Sequence, residues 1–262
     1  EVAGSALIGA AKKIAKDNNV SSIHLTFCSE KEIEYSQKWE LLTRKNLQYH
    51  WTNKDYKDFD HFLSHLSSRK RKVLKKERRI ALEFGGTIRQ YTGDEITPDL
   101  WDSFWKFYQD TGKRKWGTPY LTRSFFNIMH QNMKEDILLV VAERDQKHIA
   151  AALNFIGRNS LFGRYWGCNE DHSCLHYELC YYQAIEYALL NKLRTVEAGA
   201  QGEHKVARGY LPEITNSMHW FLNKDFSGAV EKYLSEEKVI MEEQCIQILR
   251  EGPFKEEIKA GS

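Results

Sequence analysis

The sequence predicts an α+β fold of the mixed α/β kind, in which a central mixed sheet is flanked by helices. Three apolar runs over residues 137–142, 149–156 and 161–167 are separated by short polar turns, a pattern typical of an antiparallel meander. Segments with apolar residues at helical spacing precede and follow this meander. A block of strands with helices on either side along the chain is typical of a layered domain.

The first third of the chain predicts helices and strands in alternation. Apolar residues at helical spacing continue from Phe59 to Ala81, which predicts one long helix, or two nearly continuous helices, over 58–84. Gly85 and Gly86 end this segment, because glycine is favoured directly after a helix. The predicted elements are helix 6–17, strand 23–27, helix 30–38, strand 47–51, the long helix and strand 87–91.

The remaining elements start from a clear helix signal. Thr97 is a capping residue, Pro98 suits the first turn, and Asp99 lies near the positive end of the helix dipole. This helix has a buried stripe that ends at Tyr108, and a polar segment over 110–117 is predicted to follow it. The later elements are helix 122–133, the three strands of the meander, helix 176–190, strand 195–198, strand 218–222 and helix 225–249.

Composition indicates an ordinary globular protein without a dominant charge. Of 262 residues, 42% are hydrophobic and 28% charged, and the net charge of +2 gives no general field for nucleic acid. Five cysteines predict reduced thiols and a cytoplasmic protein. The sequence contains no run of eighteen apolar residues and no secretory signal. The chain starts at Glu1, from which we expect a truncated or processed protein.

The most informative segment follows the predicted strand 195–198. It reads A-G-A-Q-G-E-H-K-V-A-R-G-Y over 198–210 and combines three glycines with an acid, an imidazole and two cations. Glycines in such a loop indicate unusual backbone angles or a close approach to the backbone. Polar side chains on a loop that a rigid strand positions are a common way to build a site, although a solvated loop would carry similar charges.

Several long strings in this chain resemble the FemAB-like family, whose members are labelled peptidoglycan biosynthesis/recognition proteins and grouped with the GNAT acyltransferases. The resemblance covers residues 20–245, nearly the whole chain. The strings are S-R-K-R-K at 68–72, K-K-E-R-R at 75–79, D-T-G-K-R-K-W-G at 110–117, G-R-Y-W-G at 163–167, L-H-Y-E-L-C-Y-Y-Q-A-I at 175–185 and E-A-G-A-Q-G-E-H-K-V-A-R-G-Y-L-P at 197–212.

The resemblance implies a GNAT-like fold and a particular domain organisation. Residues 1–57 are expected to be the remnant of an N-terminal GNAT-like half, 58–84 a basic linking helix, 85–250 the C-terminal GNAT-like domain and 251–262 a tail. It also implies N-acyl transfer, since relatives that build peptidoglycan cross-bridges move amino acids from aminoacyl-tRNA to an amine. The implied donor is therefore acyl-coenzyme A or aminoacyl-tRNA, and the acceptor a small molecule or a cell-wall precursor. The oligomeric state stays open.

One segment departs from the GNAT pattern. GNAT enzymes that use acetyl-coenzyme A carry a glycine-rich loop whose backbone amides bind pyrophosphate at a helix start. The equivalent stretch here, 169–176, reads N-E-D-H-S-C-L-H, with two acids and no glycine. This favours another donor, or a site in the other half. The interleaved cysteines and histidines over 168–180 match no common zinc-ligand spacing, so no metal is predicted.

Acyl transfer to an amine requires a base, an oxyanion donor and an oriented acyl group. His204 is the candidate base because its ordinary pKa lies near neutral pH, and Glu203 would orient it or replace it. Glu178 is a third catalytic candidate, with a role as partner of the helix dipole as the alternative. The predicted substrate-binding residues are Arg164, Tyr165, Trp166, His176, Gln201, Lys205, Arg208 and Tyr210.

A basic run supplies a second candidate surface. Residues 69–79 hold eight basic residues and one acid. Arg69, Lys72, Lys76 and Arg79 fall along one side of a helix, where they would bind a polyanion such as tRNA or form a solvated face. Lys113, Arg114 and Lys115 form another basic patch beside Trp116. The sequence thus predicts an N-acyltransferase, and the alternative is a non-catalytic module of the same fold that recognises a glycan, a peptide or RNA.

Overall fold

The computed structural model describes residues 2–115, 117 and 119–255, except the side chain of Lys115. The chain forms two compact units, unit 1 (Glu1–Gln48 and Pro212–Glu251) and unit 2 (Tyr49–Leu211 and Gly252–Ser262). The helices are α1 (Val2–Asp17), α2 (Glu30–Ile33), α3 (Phe59–His65), α4 (Ser68–Leu82), α5 (Pro98–Lys115), α6 (Arg123–Met133), α7 (Leu175–Tyr177), α8 (Gln183–Leu190) and α9 (Lys224–Arg250). The strands are β1 (Ser22–Cys28), β2 (Leu42–Thr52), β3 (Thr87–Thr92), β4 (Ile137–Arg144), β5 (Lys147–Ile156), β6 (Ser160–Cys168), β7 (Thr195–Glu197) and β8 (Leu211–Phe221).

Unit 1 contains a small sheet in the order β1-β8-β2. Strands β1 and β8 are antiparallel, with Ser22 opposite Phe221, and Met218 and Trp220 contribute to a compact apolar core. Two ion pairs hold α9 on β2, from Arg44 to Glu237 and from Lys45 to Glu242, with N···O distances of 2.7 Å each.

Unit 2 contains a sheet in the order β2-β7-β6-β5-β4-β3, antiparallel except for the parallel pair β6 and β7. Residues 137–142 of β4 are all buried because both faces of the sheet are covered. Leu138 and Val140 belong to the core that includes residues of α3, α4 and α8, whereas Leu139 and Val141 belong to the core formed with α5 and α6. The continuous apolar run therefore reflects a strand between two helical layers.

The predicted fold class and most predicted elements are confirmed. The order strand, two helices, three strands, helix, strand that the resemblance implies is present from β3 to β7. The predicted helix over 58–84 is two helices, separated where Leu66 adopts an extended conformation and pairs with Phe254. The predicted domain boundaries stay predictions.

Several element bounds were predicted wrongly. Strand β2 begins at Leu42 rather than residue 47. Helix α2 ends at Ile33 rather than residue 38. Helix α5 continues through the polar segment to Lys115, because lysine and arginine, which end this helix, are good helix formers. Strand β8 begins at Leu211 rather than residue 218, since its first half is polar and held by pairing rather than by local pattern.

No helix among the described residues combines the length and the apolar character that crossing a bilayer requires.

Candidate functional site

A cleft opens in unit 2 where the parallel pair β6 and β7 separates. The two strands pair only from Ser160 opposite Thr195 to Phe162 opposite Glu197. Beyond this point the chain after β7 stays with β2, since the Ala198 amide donates to the Tyr49 carbonyl at 3.0 Å and the Tyr49 amide to the Gly199 carbonyl at 3.1 Å. The edge of β6 from residue 163 onward therefore loses its strand partner on this side.

The cleft has a volume of about 450 Å³, which is within the usual range of small-ligand sites. Arg164, Tyr165 and Trp166 all line it, although successive residues of a strand point to opposite faces of the sheet. The cleft thus follows the edge of β6 and reaches both faces. From the facing side it is lined by residues of the helix after β6 and of the loop after β7, namely His176, Cys180, Tyr181, Ala198, Gln201, Gly202, His204 and Lys205.

A β-bulge lies in the wall of the cleft. Leu153 of β5 is opposite Tyr165, whereas the next residue, Asn154, is opposite Gly163. Arg164 is therefore the extra residue of the bulge, and such a residue is left out of the backbone pairing. The exposed Arg164 guanidinium lies 5.0 Å from the centre of the Tyr165 ring. Burial and a hydrogen bond shared with the Tyr120 hydroxyl raise the pKa of Tyr165 to about 12, so its phenol stays neutral near physiological pH.

The loop after β7 forms a 3₁₀ helix, Glu203–Arg208, that we call the elbow. Lys205 is buried in the elbow, and its Nζ donates to the Ala198 carbonyl at 2.5 Å and the Gly199 carbonyl at 3.3 Å. These bonds hold the chain where it leaves β6. Burial lowers the pKa of the Lys205 ammonium to about 8.

His204 lies at the rim of the cleft and shares a hydrogen bond of 3.0 Å between its Nε2 and the Tyr181 hydroxyl. Partial desolvation and the positive charges of Arg208 and Lys205 lower the pKa of His204. The imidazole is therefore neutral at physiological pH and can accept a proton. Tyr181 comes from a π-helical turn, Glu178–Tyr182, between α7 and α8, and such turns occur frequently at functional sites.

Position 202 requires a glycine for two reasons, a positive φ and the close approach of the His204 ring. The φ of Gly202 is +101°, and a Cβ added there would lie 2.4 Å from Cε1 and 2.8 Å from Nδ1 of His204. We expect Gly202→Ala to displace the imidazole, break the bond to Tyr181 and move the pKa of His204 back toward its ordinary value. NMR titration of the His204 ring protons measures this change.

Gly199→Ala is the matched control for that variant. Gly199 also has a positive φ, +77°, but no other atom lies within 4 Å of a Cβ placed there. Both variants carry the backbone strain, and only Gly202→Ala carries the contact with His204. Equal His204 titration curves in the two variants would contradict this explanation.

Seven of the predicted site residues line the cleft, and four do not. Those that line it are Arg164, Tyr165, Trp166, His176, Gln201, His204 and Lys205. Glu203 is exposed on the elbow away from the cleft lining. Arg208 and Tyr210 are buried and do not line the cleft. Arg208 binds Glu77 at 2.7 Å, and the Tyr210 hydroxyl donates to the Tyr181 carbonyl at 3.1 Å.

Glu178 also lies outside the cleft lining, in a buried ion pair. Arg78 of α4 donates to both of its carboxylate oxygens, at 3.0 Å from Nε and 2.7 Å from Nη2. Nη1 of the same guanidinium bonds Glu186 at 2.6 Å. Because both oxygens of Glu178 are engaged, we assign this residue to the packing of α4 and propose no catalytic role for it.

Sequence reasoning missed Asn154 and Tyr181, which both line the cleft. Asn154 had a visible signal, because it interrupts the apolar run A-A-A-L-N-F of β5. Tyr181 had none, since an aromatic residue at helical spacing indicates a place in the core, and Tyr181 is indeed buried there while its hydroxyl reaches His204.

The stretch 169–176 does not form a pyrophosphate site. Glu170 receives two bonds from Arg144, at 2.9 and 2.7 Å, and contacts His172 at 2.9 Å. Asp171 is exposed, and Cys174 takes a left-handed φ of +64° directly before the three-residue helix α7. With acids in place of glycine amides, these residues do not fit coenzyme A phosphates. Within the described part of the chain, no cluster of three or more His, Cys, Asp or Glu side chains could hold a metal ion.

The polyanion candidates of α4 share one surface. Arg69, Lys72, Lys76 and Arg79 are all exposed, and none pairs with another described residue. The neighbouring patch is partly described: Arg114 pairs with Asp110 at 2.5 Å, while Trp116 and the side chain of Lys115 lie outside the described atoms.

Fold and cleft define a mixed α/β protein with a ligand-sized opening where two parallel strands separate. The chain belongs to the FemAB-like family, described as peptidoglycan biosynthesis/recognition, whose sequence profile matches residues 1–256. No functionally curated protein matches the sequence significantly.

Solved structures with the same fold have low sequence identity to this chain. FemX is 13% identical, with a TM-score of 0.60 over 86% of this chain and 78% of FemX. The C-terminal domain of a candidate lysylphosphatidylglycerol synthetase from Agrobacterium fabrum is 9% identical, with a TM-score of 0.61 over 83% of this chain and 72% of that domain. L-PGS from Bacillus licheniformis is 8% identical, with a TM-score of 0.59 over 84% of this chain and 74% of that protein.

Proposed function

We propose that the cleft of unit 2 transfers an aminoacyl or acyl group to an amine, on an acceptor related to peptidoglycan precursors. The observation that carries this proposal is the His204 imidazole, which Tyr181 positions through a bond of 3.0 Å at the rim of a ligand-sized cleft. The peptidoglycan description of the family supports the acceptor class.

The chemistry assigns one task to each group. The acceptor amine attacks the carbonyl carbon of the donor, His204 takes the proton that the amine releases, and the oxygen of the broken ester bond leaves with that proton. The Lys205 ammonium and the backbone left unpaired at the Arg164 bulge are the donors available for the developing oxyanion.

We propose aminoacyl-tRNA as the donor rather than acyl-coenzyme A. The loop that would hold pyrophosphate carries Glu170 and Asp171 in place of glycines. The exposed basic side of α4 offers phosphate contacts in the same unit as the cleft. A tRNA donor would place the reaction in the cytoplasm.

The basic side of α4 makes a testable prediction about salt. We expect a variant with Arg69, Lys72, Lys76 and Arg79 changed to Gln to bind tRNA at least about tenfold more weakly at low salt, with a smaller slope of affinity against salt concentration. Electrophoretic mobility shift or anisotropy measurements over a salt series would detect both changes.

The control for this variant removes the same charge elsewhere. Lys57, Lys147, Lys224 and Lys232 are also exposed, and their change to Gln should leave the salt slope as it is. If both variants lose the same affinity, or if wild-type binding does not respond to salt, the basic side of α4 is not a tRNA site.

The alternative function is a binding module without catalysis. The test incubates the protein with aminoacyl-tRNA or acetyl-coenzyme A, each labelled with a stable isotope in the acyl group, and with soluble muropeptides, and follows the label by mass spectrometry. Transfer from tRNA to a muropeptide amine supports the proposal, and transfer from acetyl-coenzyme A overturns the proposed donor. Muropeptide binding without transfer from either donor favours the module.

A further inference from the structure

Asn154 is a buried polar side chain whose acceptor atom has no partner. Its side chain lies in β5 and is 1% exposed, on the face of the sheet that carries Leu138, Val140 and Ala152. Its Nδ2 lies 3.4 Å from the Leu138 carbonyl and 3.4 Å from the Ala152 carbonyl, which are long hydrogen bonds. Its Oδ1 has no hydrogen-bond partner among the described residues.

The orientation of this amide follows from its neighbours. Both atoms near Nδ2 are carbonyl oxygens, which only the NH₂ group can approach. The carbonyl end of the side chain is therefore the end left for the cleft that Asn154 lines. Gly163, opposite Asn154 across the bulge, places no side chain beside Oδ1, where a Cβ on it would lie 3.5 Å away.

Buried acceptors without partners are rare because they lose their bonds to water and gain nothing in return. A leucine at this position would extend the apolar run of β5 and avoid that loss. A polar group that costs stability at the floor of a cleft indicates a site that a ligand completes.

We propose that Oδ1 of Asn154 accepts a hydrogen bond from an uncharged N–H group of the ligand bound in the cleft. The inference deepens the proposed function and rests on it, since it states what the acceptor must carry. An ammonium group is disfavoured at this floor because Lys205 and Arg164 bring positive charge to the same cleft.

An acceptor molecule that satisfies this contact carries an amide N–H or a deprotonated amine, and places it beside Asn154 when bound. A peptide fulfils both descriptions, since it has backbone amides and, in lysine, a side-chain amine. A glycan without N-acetyl groups offers only hydroxyl groups to Oδ1. Water can donate the same O–H hydrogen bond, so Asn154 would not select such a glycan.

The first test measures thermal stability without any ligand. Asn154→Leu should keep Tm within about 2 °C of wild type, or raise it, because it removes an unpaired buried acceptor. The matched control is Asn216→Leu, since Asn216 is also buried but its Nδ2 donates to Glu30 at 2.7 Å. That control should lower Tm by about 3 °C. A loss of Tm for Asn154→Leu as large as that of the control would mean a purely structural role and overturn the proposal.

The second test uses lysyl-alanine dimethylamide as the probe, because its C-terminal amide carries no N–H, and follows binding by NMR titration. Two further probes are methylated, one at the peptide nitrogen and one twice at each amine, so that the corresponding uncharged N–H groups are absent. Wild-type protein should bind one of the two methylated forms about tenfold more weakly than the parent, the change expected for one hydrogen bond. The form that loses affinity identifies an amide or an amine as the group on Asn154.

Asn154→Leu should bind all three probes alike, at the level of the weaker methylated form. Wild-type protein that binds the three probes alike or not at all, or a variant that discriminates as wild type does, overturns the proposal. This outcome is separate from that of the transfer assay. If the protein discriminates between the probes but transfers no acyl group, the Asn154 contact stands and the transferase is rejected. If it transfers the acyl group without discriminating between the probes, the transferase stands and the Asn154 contact is rejected.

Discussion

Arg78→Met is expected to lower the free energy of unfolding by about 3 kcal/mol or more, because it leaves a carboxylate buried without a counter-charge. The Glu178 side chain is only 2% exposed, and Arg78 supplies its counter-charge through two hydrogen bonds. Gln183, which donates to the same carboxylate at 2.9 Å, is neutral. The guanidinium also binds Glu186 and lies 4.5 Å from the centre of the Phe59 ring. Denaturation with urea measures the loss.

Two further variants make this prediction specific. Arg79→Met changes the next residue of the same helix, which is exposed, and should cost less than about 0.5 kcal/mol. The double variant Arg78→Met with Glu178→Leu should recover most of the lost stability, since an apolar pair replaces the buried charges. If Arg78→Met and Arg79→Met are equally stable, the ion pair does not hold α4 in place.

His204→Ala is expected to reduce the rate of acyl transfer by about 100-fold or more at neutral pH, since the amine then loses its general base. The pH profile provides the second readout. His204 acts as a base only when it is unprotonated, and desolvation together with Arg208 and Lys205 holds its pKa below the ordinary histidine value. The ratio of the wild-type rate to the His204→Ala rate, which cancels the titration of the acceptor amine and of Lys205, should therefore stay constant down to a pH below 6.5 and fall only at lower pH.

His204→Gln separates catalysis from positioning, because glutamine can bond Tyr181 but cannot take a proton near neutral pH. Both histidine variants should be equally slow. Wild-type rates in His204→Ala would remove the base from the mechanism, and recovery by His204→Gln would make His204 a positioning residue.

Much of the fold could be predicted because its signals are local. The apolar runs and short polar turns of the meander identify β4, β5 and β6, and helical spacing identifies most of the longer helices. The two segments that line the cleft were also recognisable, since G-R-Y-W-G and the glycine-rich loop are unusual in composition.

The direction in which individual polar side chains point was harder to predict from the sequence. Leu74 and Ala81 are the buried residues of α4, and Glu77 and Arg78 lie between them at spacings of three or four residues. That spacing puts both charges on the inner side of the helix, where they meet Arg208 and Glu178. The partners lie 131 and 100 residues away, so no local pattern identifies them.

The sequence by itself determined the fold class, the order of the elements and the two segments that carry the cleft, because hydrophobic periodicity and turn residues act over a few neighbours. Only the tertiary structure decided that β6 and β7 separate after three residue pairs, that Tyr181 bonds His204, and that Asn154 lines the cleft. Each of these depends on contacts between distant parts of the chain, whose free energy is settled when the sheet and its helices pack together.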